Sequence, residues 1–130
     1  MSSEDGLKFR TLKSGSQARH DAPGRQIILA PTAESYAALW PSMVGEGDSP
    51  PVDFEREAVV FIMAGQRPTG GYSVAVKSIV REDNTLVIDA PVTPPPPDAM
   101  TIQVLTSPYT VIAVDKVDVS RVRWKSEETP

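Results

Sequence analysis

A stretch rich in glycine and proline, Gly65 to Tyr72, separates two strongly apolar runs of the chain. The first run is Glu57–Met63 and the second is Tyr72–Val80. Pro68 fixes its own φ, whereas the three glycines of the stretch can adopt positive φ values that other residues avoid. The pattern predicts two β-strands joined by a loop of defined shape.

The same loop carries residues suited to recognition. Arg67, Thr69 and Tyr72 supply a charge, a hydroxyl and an aromatic ring, and arginine and tyrosine are enriched at interface hot spots. The alternative is a plain turn made by Gly70 and Gly71, with Tyr72 packed in the core as the first residue of the next strand. Both interpretations stay open for the loop, and for Tyr72 alone the core is favoured.

The rest of the chain has a mainly β pattern. Ala58–Met63 is continuously apolar, which is typical of a strand covered on both faces. A polar turn at Arg81–Asn84 followed by alternation from Leu86 indicates a hairpin. We expect an antiparallel β-sandwich or half-open barrel of about six or seven strands, with one short helix and an edge strand at Leu7–Leu12.

The helix is expected directly after Pro31. Thr32 suits an N-cap, and Pro41 should stop or kink the helix after Trp40. One apolar face at helical spacing is formed by Tyr36, Leu39, Trp40 and Met43. Further on, the five prolines between Pro91 and Pro97 predict a polyproline-like connection rather than a strand.

Length and composition bound the domain organisation and the function. The 130 residues predict a single β-rich domain at 7–125, with disordered tails at 1–6 and 126–130. A net charge of −4 argues against nucleic acid as a partner. No apolar run reaches the roughly 20 residues of a membrane-spanning helix.

The chain offers little for catalysis or for metal binding. It has no cysteine and one histidine, His20, which excludes disulfides, thiolate chemistry and a multi-histidine site in one chain. Asp53, Glu55 and Glu57 alternate, but a solvated strand entry explains them better than a Ca²⁺ site. We therefore expect no enzymatic activity, no catalytic residues, no metal and no cofactor.

Three short segments in order, Val52-Asp53-Phe54, Gly65–Tyr72 and Leu105–Tyr109, resemble the PrcB family. These are small bacterial proteins associated with a secreted protease complex, and the similar region runs from about Val52 to Val114. The resemblance implies a β-rich domain that stabilises or assists a partner protein, with no known active site to carry over. It also implies an extracytoplasmic location, with a signal or lipid anchor absent from this sequence; a native start at Met1 would instead imply the cytoplasm.

The Gly65–Tyr72 loop is also similar to the Asn-Pro-Thr-Thr-Gly-Tyr motif of chagasin-type cysteine protease inhibitors. Arg67 and Gly70 depart from that motif, and the other two signatures of those inhibitors are missing, since residues 82–101 contain no glycine. This resemblance implies a protease inhibitor as an alternative function.

The sequence thus predicts a non-enzymatic module that binds a protein partner, such as a secreted or envelope protease, through a rigid loop. The alternatives are the inhibitor and a structural assembly domain that pairs an edge strand with another chain; the oligomeric state stays open. Ser107 and Tyr109 would join the first loop if their strands are neighbours, unless Pro108 marks a bulge and Tyr109 is core. The predicted partner-binding residues are Arg67, Pro68, Thr69, Gly70, Gly71, Tyr72, Ser107 and Tyr109.

Overall fold

The computed structural model describes residues 7–16, 18, 24–45, 49–98, 100, 103, 105–116 and 121–125. The expected tails, 1–6 and 126–130, and His20 lie outside the described residues. The elements, in chain order, are β1 (Phe9–Gly15), β2 (Gln26–Ala30), α1 (Ala33–Met43), β3 (Glu57–Met63), β4 (Ser73–Val74), β5 (Ser78–Glu82), β6 (Thr85–Asp89), β7 (Val92–Thr93), β8 (Tyr109–Asp115) and β9 (Arg121–Trp124).

The largest sheet has the order β1-β8-β3-β2, and every pairing in it is antiparallel. Residues Ala58–Met63 of β3 are all buried, as expected for a strand covered on both faces. Strand β8 pairs with β3 along its whole length and is buried up to Val114. The edge position predicted for the first strand is confirmed, although β1 extends to Gly15.

The two faces of this sheet carry separate hydrophobic clusters. On one face α1 packs through Tyr36 and Trp40 against Phe61 of β3, with ring centroids 6.2 and 6.3 Å from the Phe61 ring. On the other face Val60 and Ile62 pack against a second sheet. The molecule is therefore layered as helix, four-stranded sheet and three-stranded sheet.

Helix α1 starts as predicted but ends later. Thr32 and Ser35 form a capping box, in which the Thr32 hydroxyl accepts from the Ser35 N–H at 3.1 Å. Of the two outcomes expected at Pro41, a stop or a kink, the stop is wrong, because Pro41 lies inside the helix, which continues to Met43. Pro41 has no N–H, so the Ala37 carbonyl lacks its helical hydrogen-bond donor. Both residues are exposed, so water can bind this carbonyl. The continued helix also buries Met43.

The second sheet has the order β5-β6-β9. The predicted hairpin is confirmed: β5 and β6 pair antiparallel through a turn at Asp83 and Asn84, with Asp83 at a φ of 56°. Strand β9 pairs with β6 in parallel, which the expected all-antiparallel sheet did not include.

The predicted strand from Tyr72 to Val80 is broken in two. Strand β4 pairs with β7, whereas β5 pairs with β6, so the chain changes partner between them at residues 75–77. The proline-rich segment consequently contains a two-residue strand, Val92–Thr93. These two short strands raise the count in the described part of the chain to nine, above the expected six or seven.

The mainly β class with one helix is confirmed. The two larger sheets approach each other at both edges, where the Leu7 N–H donates to the Ile79 carbonyl at 2.9 Å and β2 lies beside β9. Within the described residues they do not close into one barrel. No helix in that part of the chain has the length and apolar character needed to cross a membrane.

Candidate functional site

The Gly65–Tyr72 loop lies beside the segment that precedes β8. Because β3 and β8 are antiparallel neighbours, the end of one and the start of the other meet at the same edge. The Arg67 N–H donates to the Thr106 carbonyl at 2.7 Å, and the Thr106 N–H donates to the Arg67 carbonyl at 2.9 Å. The expected proximity of the two motifs is confirmed.

Thr106 and Thr69 both form side-chain hydrogen bonds within the site. The Thr106 hydroxyl donates to the Thr69 carbonyl at 2.9 Å, and the Thr69 hydroxyl donates to the Gly70 carbonyl at 2.9 Å. Thr106 is buried and Thr69 is half-buried. The loop is therefore fastened to the β8 segment by side chains as well as by backbone bonds, which limits its freedom.

The Arg67 side chain folds back onto its own loop. Its Nη2 donates to the Ala64 carbonyl at 2.8 Å, and its Cζ lies 5.8 Å from the centroid of the Tyr72 ring. Arg67 and Tyr72 are both half-buried, so Tyr72 is less enclosed than the core position favoured for it. This bond lets Arg67 brace the loop, and the partner contact predicted for it stays a prediction.

Two glycines of the loop use their conformational freedom. Gly65 has a φ of +86° and Gly71 has a φ of +90°. A Cβ at Gly65 would lie 2.7 Å from the carbonyl carbon of Gly24. Gly65 thus allows the loop to touch the backbone that leads into β2.

Ser107 and Tyr109 are both buried, with about 5% of their surface exposed, which is the core position that the sequence left open for Tyr109. The Ser107 N–H donates to Ser16 at 2.8 Å and its carbonyl accepts from Ala18 at 2.9 Å. The Tyr109 ring packs over Gly15, where a Cβ would lie 2.8 Å from its Cε1. Burial raises the pKa of the Tyr109 phenol above its ordinary value. Ser107 and Tyr109 therefore pack in the interior next to the site.

The outer surface of the site includes a residue that the sequence analysis did not select. Leu105 is 61% exposed and precedes Thr106, so the antiparallel register places it next to Pro68. Pro68 and Gly71 are exposed as well. The sequence carried no signal for it, because its exposure depends on the pairing of Thr106 with Arg67, which are far apart in the chain.

The connection from β7 to β8 is tied to the first loop at both ends. Thr93 pairs with Ser73 on one side, and Thr106 pairs with Arg67 on the other. The connection therefore begins at one flank of the Gly65–Tyr72 loop and ends at the other. We call the Gly65–Tyr72 loop, together with residues 94–98, 100, 103, 105 and 106 of the connection, the loop pair. Met100, fully exposed, and Leu105 are the large hydrophobic side chains that the described part of the chain leaves exposed, and both belong to this connection.

The described residues contain no group of acidic or histidine side chains placed to hold a metal ion. The fold and this site define a mainly β domain, backed by one helix, that presents two mutually hydrogen-bonded loops at one end of its main sheet.

The family model described as PrcB C-terminal matches residues 58–115 of the chain. This match agrees with the resemblance to the PrcB family, and the matched residues run from β3 to β8 and include the loop pair. The family suggests a subunit associated with a protease complex. Comparisons with curated proteins and with solved structures found no match.

Proposed function

We propose that this domain is a non-enzymatic protein-binding module that docks on an extracytoplasmic protease or similar partner through the loop pair, and assists or stabilises it. The observation that carries the proposal is the position of Leu105 and Pro68. Both are exposed, and each is next in sequence to one member of the hydrogen-bonded pair Arg67 and Thr106, so they lie on the two segments that this pair joins. Exposed apolar side chains on a fixed scaffold are typical of interaction sites.

The energetics favour docking of a preformed surface. Binding costs free energy when side chains and loops must be ordered. Here the Arg67–Thr106 bonds, the Thr106–Thr69 bond and the Arg67 brace already order the Gly65–Tyr72 loop and join it to the segment at Thr106. The proposed contact residues are Pro68, Gly71 and Leu105, with Thr69, Gly70 and Tyr72 at the margin and Arg67 beneath.

The edge-strand alternative is less favoured. Strand β1 has a register shift between Thr11 and Lys13, and Lys13 is exposed on it. Bulges and lysines are devices by which proteins keep edge strands from pairing with other chains. Docking through the loop pair does not meet this obstacle.

Capture experiments test the proposal. The immobilised wild type and a Pro68→Ser, Leu105→Ser double variant are exposed to envelope and cytosolic extracts of the native cell. Arg81→Ser, at an exposed position on β5, is the matched control. We expect a protein in the envelope extract to be retained by wild type and control and lost by the double variant.

A peptidase assay on the retained protein separates the modes of action. Longer-lasting activity in the presence of the domain supports assistance, whereas dose-dependent loss of activity would replace this proposal with the inhibitor. Equal retention by the double variant and the wild type would remove the loop pair as the binding surface.

A further inference from the structure

One methionine of the loop pair lies fully in solvent. Among the methionines that the structure describes, Met100 is 100% exposed, whereas Met43 is 7% and Met63 2% exposed. Met43 ends α1 and Met63 ends β3, and both pack in the hydrophobic cluster between the helix and the main sheet. Solvent therefore meets the sulfur of Met100 directly, but reaches the sulfurs of Met43 and Met63 only when the core opens.

A solvent-exposed thioether reacts with a hydroperoxide without help from other side chains. The peroxide transfers its terminal oxygen to Sδ: an S–O bond forms, the O–O bond breaks, and the proton of the transferred oxygen leaves with the other oxygen as water. The sulfur is oxidised and the peroxide is reduced. The product is methionine sulfoxide, which is polar where methionine is apolar.

We propose that Met100 is the site at which a hydroperoxide modifies this domain, and that the sulfoxide weakens docking through the loop pair. The second part rests on the proposed function. In the described part of the chain, Met100 and Leu105 are the large hydrophobic side chains left exposed, and both belong to the connection from β7 to β8. The flexible thioether of methionine adapts to apolar partner surfaces, whereas a sulfoxide oxygen at the same place must lose its water on binding.

Peptide mapping by mass spectrometry after graded exposure to hydrogen peroxide tests the first part. In the folded protein we expect Met100 to form sulfoxide at least about tenfold faster than Met43 or Met63. In urea sufficient to unfold the chain the three should react at similar rates, which controls for the influence of neighbouring residues. Equal rates in the folded protein, or a preference for Met100 that persists in urea, would overturn the assignment.

Calorimetric titration of the captured partner tests the second part. The domain is treated with peroxide alone, and the peroxide is removed before the titration. Met100→Leu is the matched control, because leucine is apolar and of similar volume but has no sulfur to oxidise. We expect treatment to weaken binding of the wild type by about threefold or more, and methionine sulfoxide reductase to restore it. The affinity of Met100→Leu should be the same before and after treatment.

Leu105→Ser in the same titrations separates failure of this inference from failure of the proposed function. Unchanged affinity of the oxidised wild type, with binding weakened in Leu105→Ser, would overturn the effect of the sulfoxide and leave docking through the loop pair in place. An equal loss in treated Met100→Leu would assign the effect to another residue and overturn it too. Wild-type affinity in Leu105→Ser would remove the proposed function and the effect on docking with it, while the peptide map alone would decide the modification site.

Discussion

Individual residues of the Gly65–Tyr72 loop act mainly on the shape of the loop. Gly65 lets the loop meet Gly24, and Arg67 binds the Ala64 carbonyl. The glycines and the proline predicted a loop of defined shape, but the bond from Arg67 to Ala64 could not be predicted, because a sequence does not show where a long side chain turns. Leu105 was missed for the same reason: its exposure depends on the pairing of Thr106 with Arg67.

Gly65→Ala should be more destabilising than Gly45→Ala. Both positions have positive φ, +86° and +126°, but a Cβ at Gly45 meets nothing within 4 Å. We expect Gly45→Ala to lower the free energy of unfolding by about 1 kcal/mol, and Gly65→Ala to lower it by about 2 to 4 kcal/mol because steric overlap is added. Urea unfolding measures both; equal losses would contradict the close contact with Gly24.

Arg67→Ala tests whether Arg67 braces the loop. Loss of the bond to Ala64 in a half-buried setting should lower the free energy of unfolding by about 1 to 2 kcal/mol. Arg81→Ala, at an exposed position, should change it by less than about 0.5 kcal/mol. If Arg67→Ala keeps wild-type stability but loses the partner, Arg67 is a contact residue after all.

For the helix and the strands, features set by neighbouring residues were predicted correctly, whereas the pairing partners of several strands were not. The Thr32 cap, the Asp83–Asn84 hairpin and the buried run of β3 follow from neighbouring residues. The break between β4 and β5 and the parallel pairing of β9 depend on residues distant in the chain. Periodicity within one segment carries no information about such pairings.

Thr32→Ala should weaken the start of α1. It removes the hydroxyl that accepts from the Ser35 N–H, and we expect a loss of about 1 kcal/mol in the free energy of unfolding. Thr32→Ser keeps the acceptor and should remain within about 0.5 kcal/mol of wild type. Thermal unfolding of the two variants checks this; an equal loss in both would exclude the capping bond as the cause.

The ion pair between β1 and β3 should make stability depend on pH. Arg10 binds both carboxylate oxygens of Glu57, at 2.9 and 3.0 Å, across β8. The hydrogen bond from Arg10 holds the pKa of Glu57 below its ordinary value. A lowered folded-state pKa stabilises the protein above the unfolded value of about 4.3, and this contribution is lost as pH falls through the folded pKa.

Glu57→Gln should therefore cost stability at neutral pH. Because Arg10 is about half exposed, we expect a loss of only about 1 kcal/mol at pH 7. Urea unfolding at pH 7 and pH 3 should show the difference from wild type shrinking at the lower pH. A difference that is the same at both pH values would assign the effect to packing instead of charge.

At the scale of the whole molecule, the layers of the fold place the site. The helix covers one face of the main sheet and the second sheet covers the other, so the ends of the strands are left for contact. The β class and the neighbouring positions of the two loops could be predicted, since they need only a sheet in which β3 and β8 pair. The pairing of Thr93 with Ser73 could not be predicted, because it depends on a two-residue strand among prolines.

The loop pair, as proposed above, binds the partner through its exposed apolar residues. Isothermal titration calorimetry of the captured partner with wild type, Leu105→Ser and Arg81→Ser measures this contribution, and melting temperatures are measured alongside. We predict that Leu105→Ser weakens binding by about tenfold or more, some 1.4 kcal/mol, with the melting temperature unchanged, and that Arg81→Ser binds as wild type does. Wild-type affinity in Leu105→Ser would contradict the claim and place the binding surface elsewhere on the domain.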